Sequence, residues 1–243
     1  MAFRSLFCLL LLTLGAGRFS PVLADNPLQA AMELEGALHL TPDVENGKKV
    51  YRICAVCHRP EAWGSESGNY PQIAGQIRTV IIKQLADIRA RNRDNPTMLP
   101  FTRLDMLSLQ EIADVSAYIA KLPMTRHNGV GPGTDLLHGK KIYEENCAEC
   151  HGPRAEGDFD DHIPLLQGQH YRYLYRQFIW IRDGRRRNAD KKMVKQIQGF
   201  NTRDISAVMD YVSRLQPPEE RLAPADWLNP DFPHYHRGNN RRY

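Results

Sequence analysis

Cys54-Ala55-Val56-Cys57-His58 and Cys147-Ala148-Glu149-Cys150-His151 are two copies of one pentapeptide. Cys-x-x-Cys-His is the attachment sequence for c-type haem. Two thiols one helical turn apart can each form a thioether to a haem vinyl group, and the His that follows is placed to bind the iron. Cys54, Cys57, Cys147 and Cys150 therefore read as covalent attachment points, and His58 and His151 as axial ligands. Two copies imply two covalently bound haem c groups and redox chemistry.

The pentapeptides sit inside a longer duplication. Cys54 and Cys147 are 93 positions apart, and the same offset links Pro60 to Pro153, Gly64 to Gly157, Pro71 to Pro164, Gly75-Gln76 to Gly168-Gln169, Ile112 to Ile205 and Tyr118 to Tyr211. Upstream, Gly47-Lys48-Lys49-Val50-Tyr51 matches Gly139-Lys140-Lys141-Ile142-Tyr143 at an offset of 92. Each half reads as one small domain with one haem. The expected division is residues 40–123, a Pro/Gly-rich linker at 124–133, residues 134–216, and a Pro-rich basic tail at 217–243.

Both halves read as helical. Thr41-Pro42-Asp43 predicts a helix start with Thr41 as N-cap. Ile77, Val80, Ile81, Leu85 and Ile88 have amphipathic spacing, repeated by Tyr171, Leu174, Tyr175, Phe178 and Ile181. Ser108-Leu109-Gln110-Glu111 predicts a capping box, and Asn201-Thr202-Arg203-Asp204 starts the matching helix. Gly47 and Gly139 lie inside the first helix of each half, where Gly costs about 1 kcal/mol against Ala. Their repetition predicts a close helix crossing. The fold class is all-α, two tandem domains each enclosing one haem.

The chain opens Met1-Ala2-Phe3-Arg4, runs apolar from Leu6 to Leu14 and reaches Val22-Leu23-Ala24. This reads as a signal peptide, residues 1–24, cut after Ala24. The apolar run is short for a bilayer span of about 20 residues. The expected location is the periplasm. Of five Cys, Cys8 leaves with the leader, so no thiol remains for a disulfide, a nucleophile or a Cys axial ligand. The formal charge of +4 becomes +2 without Arg4 and Arg18. Nothing supports nucleic-acid binding despite the Arg clusters.

A second axial ligand is expected downstream of each motif. The first half offers Met98 and Met106, the second Met193, with Met209 inside the last helix. Met98 and Met193 stand in loop-like, polar surroundings at similar distances, 40 and 42 residues, from His58 and His151. They are the expected ligands. His39, His127, His138, His162, His170, His234 and His236 do not recur between halves and read mostly as surface residues. Irons closed by His and Met leave no position for a small-molecule substrate, so the chain carries electrons and is not itself an enzyme.

Tandem Cys-x-x-Cys-His domains, each followed by a Pro-x-Leu/Ile-x-Gly-Gln type of segment and a Met, resemble dihaem cytochromes of the cytochrome c4 type. The segments here are Tyr70-Pro71-Gln72-Ile73-Ala74-Gly75-Gln76 and Ile163-Pro164-Leu165-Leu166-Gln167-Gly168-Gln169. The resemblance covers roughly Asp43 to Leu215. It implies two class I cytochrome c folds related by a pseudo-twofold axis, with Gly47 and Gly139 crossing the last helices near Tyr118 and Tyr211. It also implies that the Pro71 and Pro164 carbonyls accept a hydrogen bond from the proximal His Nδ1. Expected partners are redox proteins, a membrane oxidase or reductase. Through its Gly-Gln, Arg-rich and Lys-Lys-Met stretch the second half also resembles the dihaem subunit of flavocytochrome c sulfide dehydrogenases, whose partner is a flavoprotein subunit.

Two features are expected to be peripheral. Arg89, Arg91 and Arg93 recur roughly as Arg182, Arg185, Arg186 and Arg187, and a solvated helix end is preferred over a docking surface or contacts to haem propionates. The tail matches neither half; Trp227 and Phe232 are its candidates for wrapping a domain.

Overall fold

The computed structural model describes residues 26–233. The leader and the tail residues His234 and His236 lie outside the described residues. Among the described residues there are ten α-helices and no strand, and no helix is long and apolar enough to cross a membrane.

Helix α1 (Pro27–His39) was not anticipated from the sequence. Asn26 caps it by accepting from the Gln29 amide, and Pro27 supplies the preset first position. It lays Ala37, Leu34 and Leu38 on Ile82, Leu107 and Ile112. The first domain continues with α2 (Val44–His58), α3 (Arg78–Arg89), α4 (Leu99–Thr102) and α5 (Leu109–Lys121). The second has α6 (Leu136–Asn146), α7 (Ala148–His151), α8 (Tyr171–Arg182), α9 (Lys191–Ile197) and α10 (Thr202–Ser213).

Helix α2 starts later than the sequence suggests. Its N-cap is Asp43, whose carboxylate accepts from the Glu45 and Asn46 amides, so Thr41 lies outside the helix. An ionised side chain on two free helix donors is the stronger cap. The Ser108–Glu111 and Asn201–Asp204 capping boxes both form.

Gly47 and Gly139 do mark close crossings. A Cβ at Gly47 would stand 2.2 Å from the Asp114 carbonyl oxygen and 3.0 Å from Tyr118 Cβ. At Gly139 the corresponding distances are 2.0 Å to Ala207 O and 3.1 Å to Tyr211 Cβ. Only hydrogen fits there, which justifies the helix-propensity cost. Around these crossings sit the two cores, one built on Tyr51, Val115 and Tyr118, the other on Tyr143, Phe178, Ile205 and Val208.

The change of offset from 93 to 92 has a local cause. Three residues follow Tyr143 before Cys147, whereas two follow Tyr51 before Cys54. Helix α2 runs unbroken through the first motif. In the second half the extra residue ends α6, and Cys147 (φ −125°, ψ −35°) joins it to the single turn α7.

The linker is pinned rather than free. Met124 is buried between the two Gly-Gln segments, against Gly75 and Gly168. Asn128 donates to the Gln169 and Ser213 carbonyls at 2.9 and 2.7 Å. The domains also grip each other reciprocally. Gln76 donates to Leu165 O at 2.9 Å and accepts from Leu165 N at 3.0 Å. Gln169 donates to Gln72 O at 2.7 Å and accepts from Gln72 N at 3.0 Å. Residues 72 and 165, like 76 and 169, are equivalent in the repeat, so the interface has twofold character.

After α10 the chain returns to the first domain. The Met124 amide donates to Arg221 O and the Ala223 amide to Met124 O, both at 2.8 Å. Trp227 packs on Trp63 (centroids 5.8 Å apart) and Phe232 on the edge of Tyr51. Asn229 donates to Pro60 O and Tyr118 Oη, while Tyr118 donates to Asp231.

Candidate haem sites

Each site is built from the end of a first helix and the loop that follows it. His58 and His151 close their motifs and are buried. Their Nδ1 atoms lie 3.2 Å from Pro71 O and Pro164 O. A carbonyl only accepts, so Nδ1 carries the proton and Nε2 keeps its lone pair. That is the tautomer an iron ligand needs, with the ring held by its other nitrogen. Burial disfavours the charged form of both imidazoles.

The chain must turn sharply after each His. Tyr51 donates to Arg59 O at 2.7 Å and Tyr143 to Gly152 O at 2.6 Å, holding that turn from the core. Gly152 sits at φ 81°, ψ 157°, a region open essentially to Gly. Arg59 occupies the same place at φ 68°, ψ 161°. The first motif therefore stores backbone strain that the second avoids.

The thiols of Cys54, Cys57, Cys147 and Cys150 are free of disulfides. Burial pushes Cys54 up to about 11 and Cys147 up to about 12, so neither is an activated thiolate. Among the described residues no three His, Cys, Asp or Glu converge as a metal cluster. A thiol pair, an imidazole with a free Nε2 and a downstream thioether do fit a covalently attached haem. His58 and His151 would hold the iron, and the four Cys would tether the ring.

Met98 is partly buried and forms the N-cap of α4, its amide donating to Asn95 O at 3.1 Å. Met106 is 50% exposed. Met193 is not in a loop. It is the third residue of α9, where its amide donates to the capping carboxylate of Asp190 at 3.1 Å, and it packs against the second core. Seven residues is a short helix, and its Lys-rich composition hid the period.

The arginines correct the sequence reading most. Arg89 is buried, bonding to Thr102 O at 2.5 Å, to Leu107 O, and to Glu33 of α1 at 3.2 Å. It ties down both ends of the segment after Met98. Its repeat partner Arg182 reaches Phe200 O at 3.3 Å beyond Met193. Arg93 and Arg186 bridge the domains. The repeat offset of 93 that links Arg89 to Arg182 and Arg93 to Arg186 was the available signal. His170 is also no surface residue: it is buried, its Nε2 donating to Trp63 O at 2.7 Å and its Nδ1 accepting from the Gly129 amide at 3.0 Å.

The cytochrome c family model matches residues 44–123 and again 136–216. The chain belongs to the cytochrome c family. Cytochrome c4 of Pseudomonas aeruginosa is 33% identical over 197 residues, covering 77% of this chain and 96% of that relative. The reduced recombinant cytochrome c4 of Pseudomonas stutzeri superposes with a TM-score of 0.65 at 27% identity, covering 72% of this chain and all of that one. A cbb3-type oxidase subunit FixP of Sinorhizobium medicae is 28% identical over 137 residues, 51% of this chain and 44% of the relative. The cytochrome c4 relationship accounts for both domains together.

Proposed function

We propose that this cytochrome c4-type chain is a dihaem electron carrier working in the periplasm between respiratory redox partners. Two His–Pro carbonyl pairs of identical 3.2 Å geometry, one per domain, carry the reading. Haem iron supplies one-electron oxidation and reduction. The chain supplies the rest. His58 and His151 bind iron through Nε2, and the Pro71 and Pro164 carbonyls orient and enrich the imidazoles. Met98 and Met193 would supply the second ligand to each iron. Thioether ligation favours reduced iron. The expected partners are membrane redox complexes, a reading supported by the similarity to the FixP subunit. The apolar leader ending at Ala24 supports export.

A pyridine haemochrome count tests the reading directly. Two haems per chain are expected, and fewer would sink it. The red-region Met–iron absorption band of the oxidised protein is expected to fall by half in Met98→Ala, by half in Met193→Ala, and to vanish in the double variant. A band untouched by Met98→Ala would remove Met98 from the ligand set.

A further inference from the structure

Three arginines and a lysine meet where α3 and its following loop face α8 across the domain boundary. Arg93 donates to Gln84 Oε1 at 2.7 Å, and to Tyr173 Oη and Gln177 Oε1 at 3.3 Å each. Arg186 donates to Gln177 Oε1 at 3.0 Å and to Gln84 Oε1 at 3.1 Å. Gln84 and Gln177, like Arg93 and Arg186, are repeat partners 93 positions apart. Each Arg thus bonds to the Gln of its own domain and to that of the other. Arg176 lies over the Tyr173 and Trp180 rings, 5.4 and 5.2 Å from their centroids, and its buried Nε has no hydrogen-bond partner.

The charge does not balance. Among the described residues, the carboxylate joined to this network is Asp87, held by Lys83 at 2.6 Å, Asn188 at 2.7 Å and Asn92 at 2.7 Å. Three guanidiniums and one ammonium against one carboxylate leave three positive charges. Burial and the neighbouring Arg93 lower the pKa of Arg176 and Arg186. The acceptors in use are neutral amide and phenol oxygens, whereas a guanidinium fork is matched to carboxylate. Arg176 also donates to Asn69 O at 3.4 Å, and the next residue, Tyr70, packs edge-on against the His58 ring with centroids 6.2 Å apart, so the cluster lies close to the first proximal ligand. Met98 is five residues beyond Arg93, and Met193 seven beyond Arg186.

We infer that Arg93, Arg176 and Arg186 form a single cationic seat shared by the haem carboxylates of both domains, so that one set of guanidiniums sets the potential of both irons. The inference rests on the two-haem reading. Removing a positive charge from the seat stabilises oxidised iron at both sites.

The test is a spectroelectrochemical titration of the purified holoprotein without partners. Arg186→Gln, in the second domain, is expected to shift both one-electron steps about tenfold toward the oxidised form, about 59 mV each. Arg186→Lys, which keeps the charge and guards against misfolding, is expected to keep most of the parental value. Arg203→Gln, an exposed residue paired with Asp135, is expected to change neither step. A shift confined to one step would overturn the shared seat, as would two unshifted steps. Unshifted steps with a slower reaction with an acidic redox protein would assign the arginines to a partner's carboxylates instead. Haem counting keeps the outcomes apart: a parent with fewer than two haems fails the underlying reading, not this one.

Discussion

Tyr118 and Tyr211 hold the same place in the repeat, each packed beside the glycine of a helix crossing, yet their surroundings differ. Tyr118 is buried and hydrogen-bonded to Asn229 and Asp231 of the tail, with Lys48 paired to Asp231 at 2.5 Å beside it. Tyr211 is only partly buried, and among the described residues no tail segment covers it. The first domain is also covered on its other side by α1, through Glu33, Leu34 and Ala37. Among the described residues the second has neither cover. One ancestral fold therefore exists here in two editions, and the shared crossing can be separated from the added wrapping. The wrapping returns the described part of the tail to the first domain, so in chain order the second domain lies between two segments that pack on the first.

The difference is broken most severely by truncation after Gln216. Losing Trp227, Asn229 and Phe232 is expected to destabilise the first domain by more than the ~3 kcal/mol that deleting a buried Phe alone costs. Denaturant unfolding read through Trp63 should move, while Trp180 in α8, read in single-tryptophan backgrounds, should hold. Equal movement of both would show that the tail stabilises the interface, not the first domain.

Gly47→Ala and Gly139→Ala ask whether the wrapping matters to the crossing. Both Cβ atoms would meet a carbonyl oxygen at about the same distance, so each is expected to cost about 3 kcal/mol in its own domain. A much milder Gly47→Ala would mean that α1 and the tail brace the crossing.

Arg59→Gly is expected to stabilise the first domain by about 1 kcal/mol by relieving a left-handed, extended backbone, with Gly152→Ala costing the second at least as much. Thermal unfolding of the holoprotein reads both. The smallest effect is acid sensitivity. The His138 hydrogen bond holds the Asp204 carboxyl below the usual carboxylate range. A depressed carboxylate stabilises above its unfolded pKa, and that contribution disappears as pH falls through the folded one. Asp204's repeat partner is Glu111, which caps Ser108 without a His. Acid melting of the second domain should therefore lose part of its pH dependence in His138→Ala, and the first domain should not respond.

Much of this was readable from residue type and spacing. The haem motifs, the capping boxes and the paired glycines each impose a local geometry that follows from chemistry within a few residues or from repetition. Most of the misses originate in contacts distant along the chain, and Met193 and the α2 cap in local capping chemistry. Helix α1 has a weak pattern until α3 and α5 receive it. Met193 looked like a loop residue because the capping Asp190 and a Lys-rich turn disguise a helix. The arginines looked solvated because their partners, Thr102, Leu107, Gln84 and Gln177, lie elsewhere in the chain or on the other domain. Tyr173 and Trp180 are a different case: at i−3 and i+4 of Arg176 on α8 they are its helical neighbours, readable from spacing once the helix is placed.

The reciprocal glutamine clasp has one further consequence. Gln76 and Gln169 bind the N–H and C=O of residue 165 and residue 72 and ignore their side chains, which are Leu in one case and Gln in the other. The main-chain part of this joint does not depend on the residue type at its targets, and at one of them the Gln72 side chain adds bonds of its own, donating to Gly168 O at 2.6 Å and accepting from the Thr125 amide at 2.8 Å. Residue type thus differs between the two targets, Leu165 and Gln72, while the clasp keeps the same geometry at both ends.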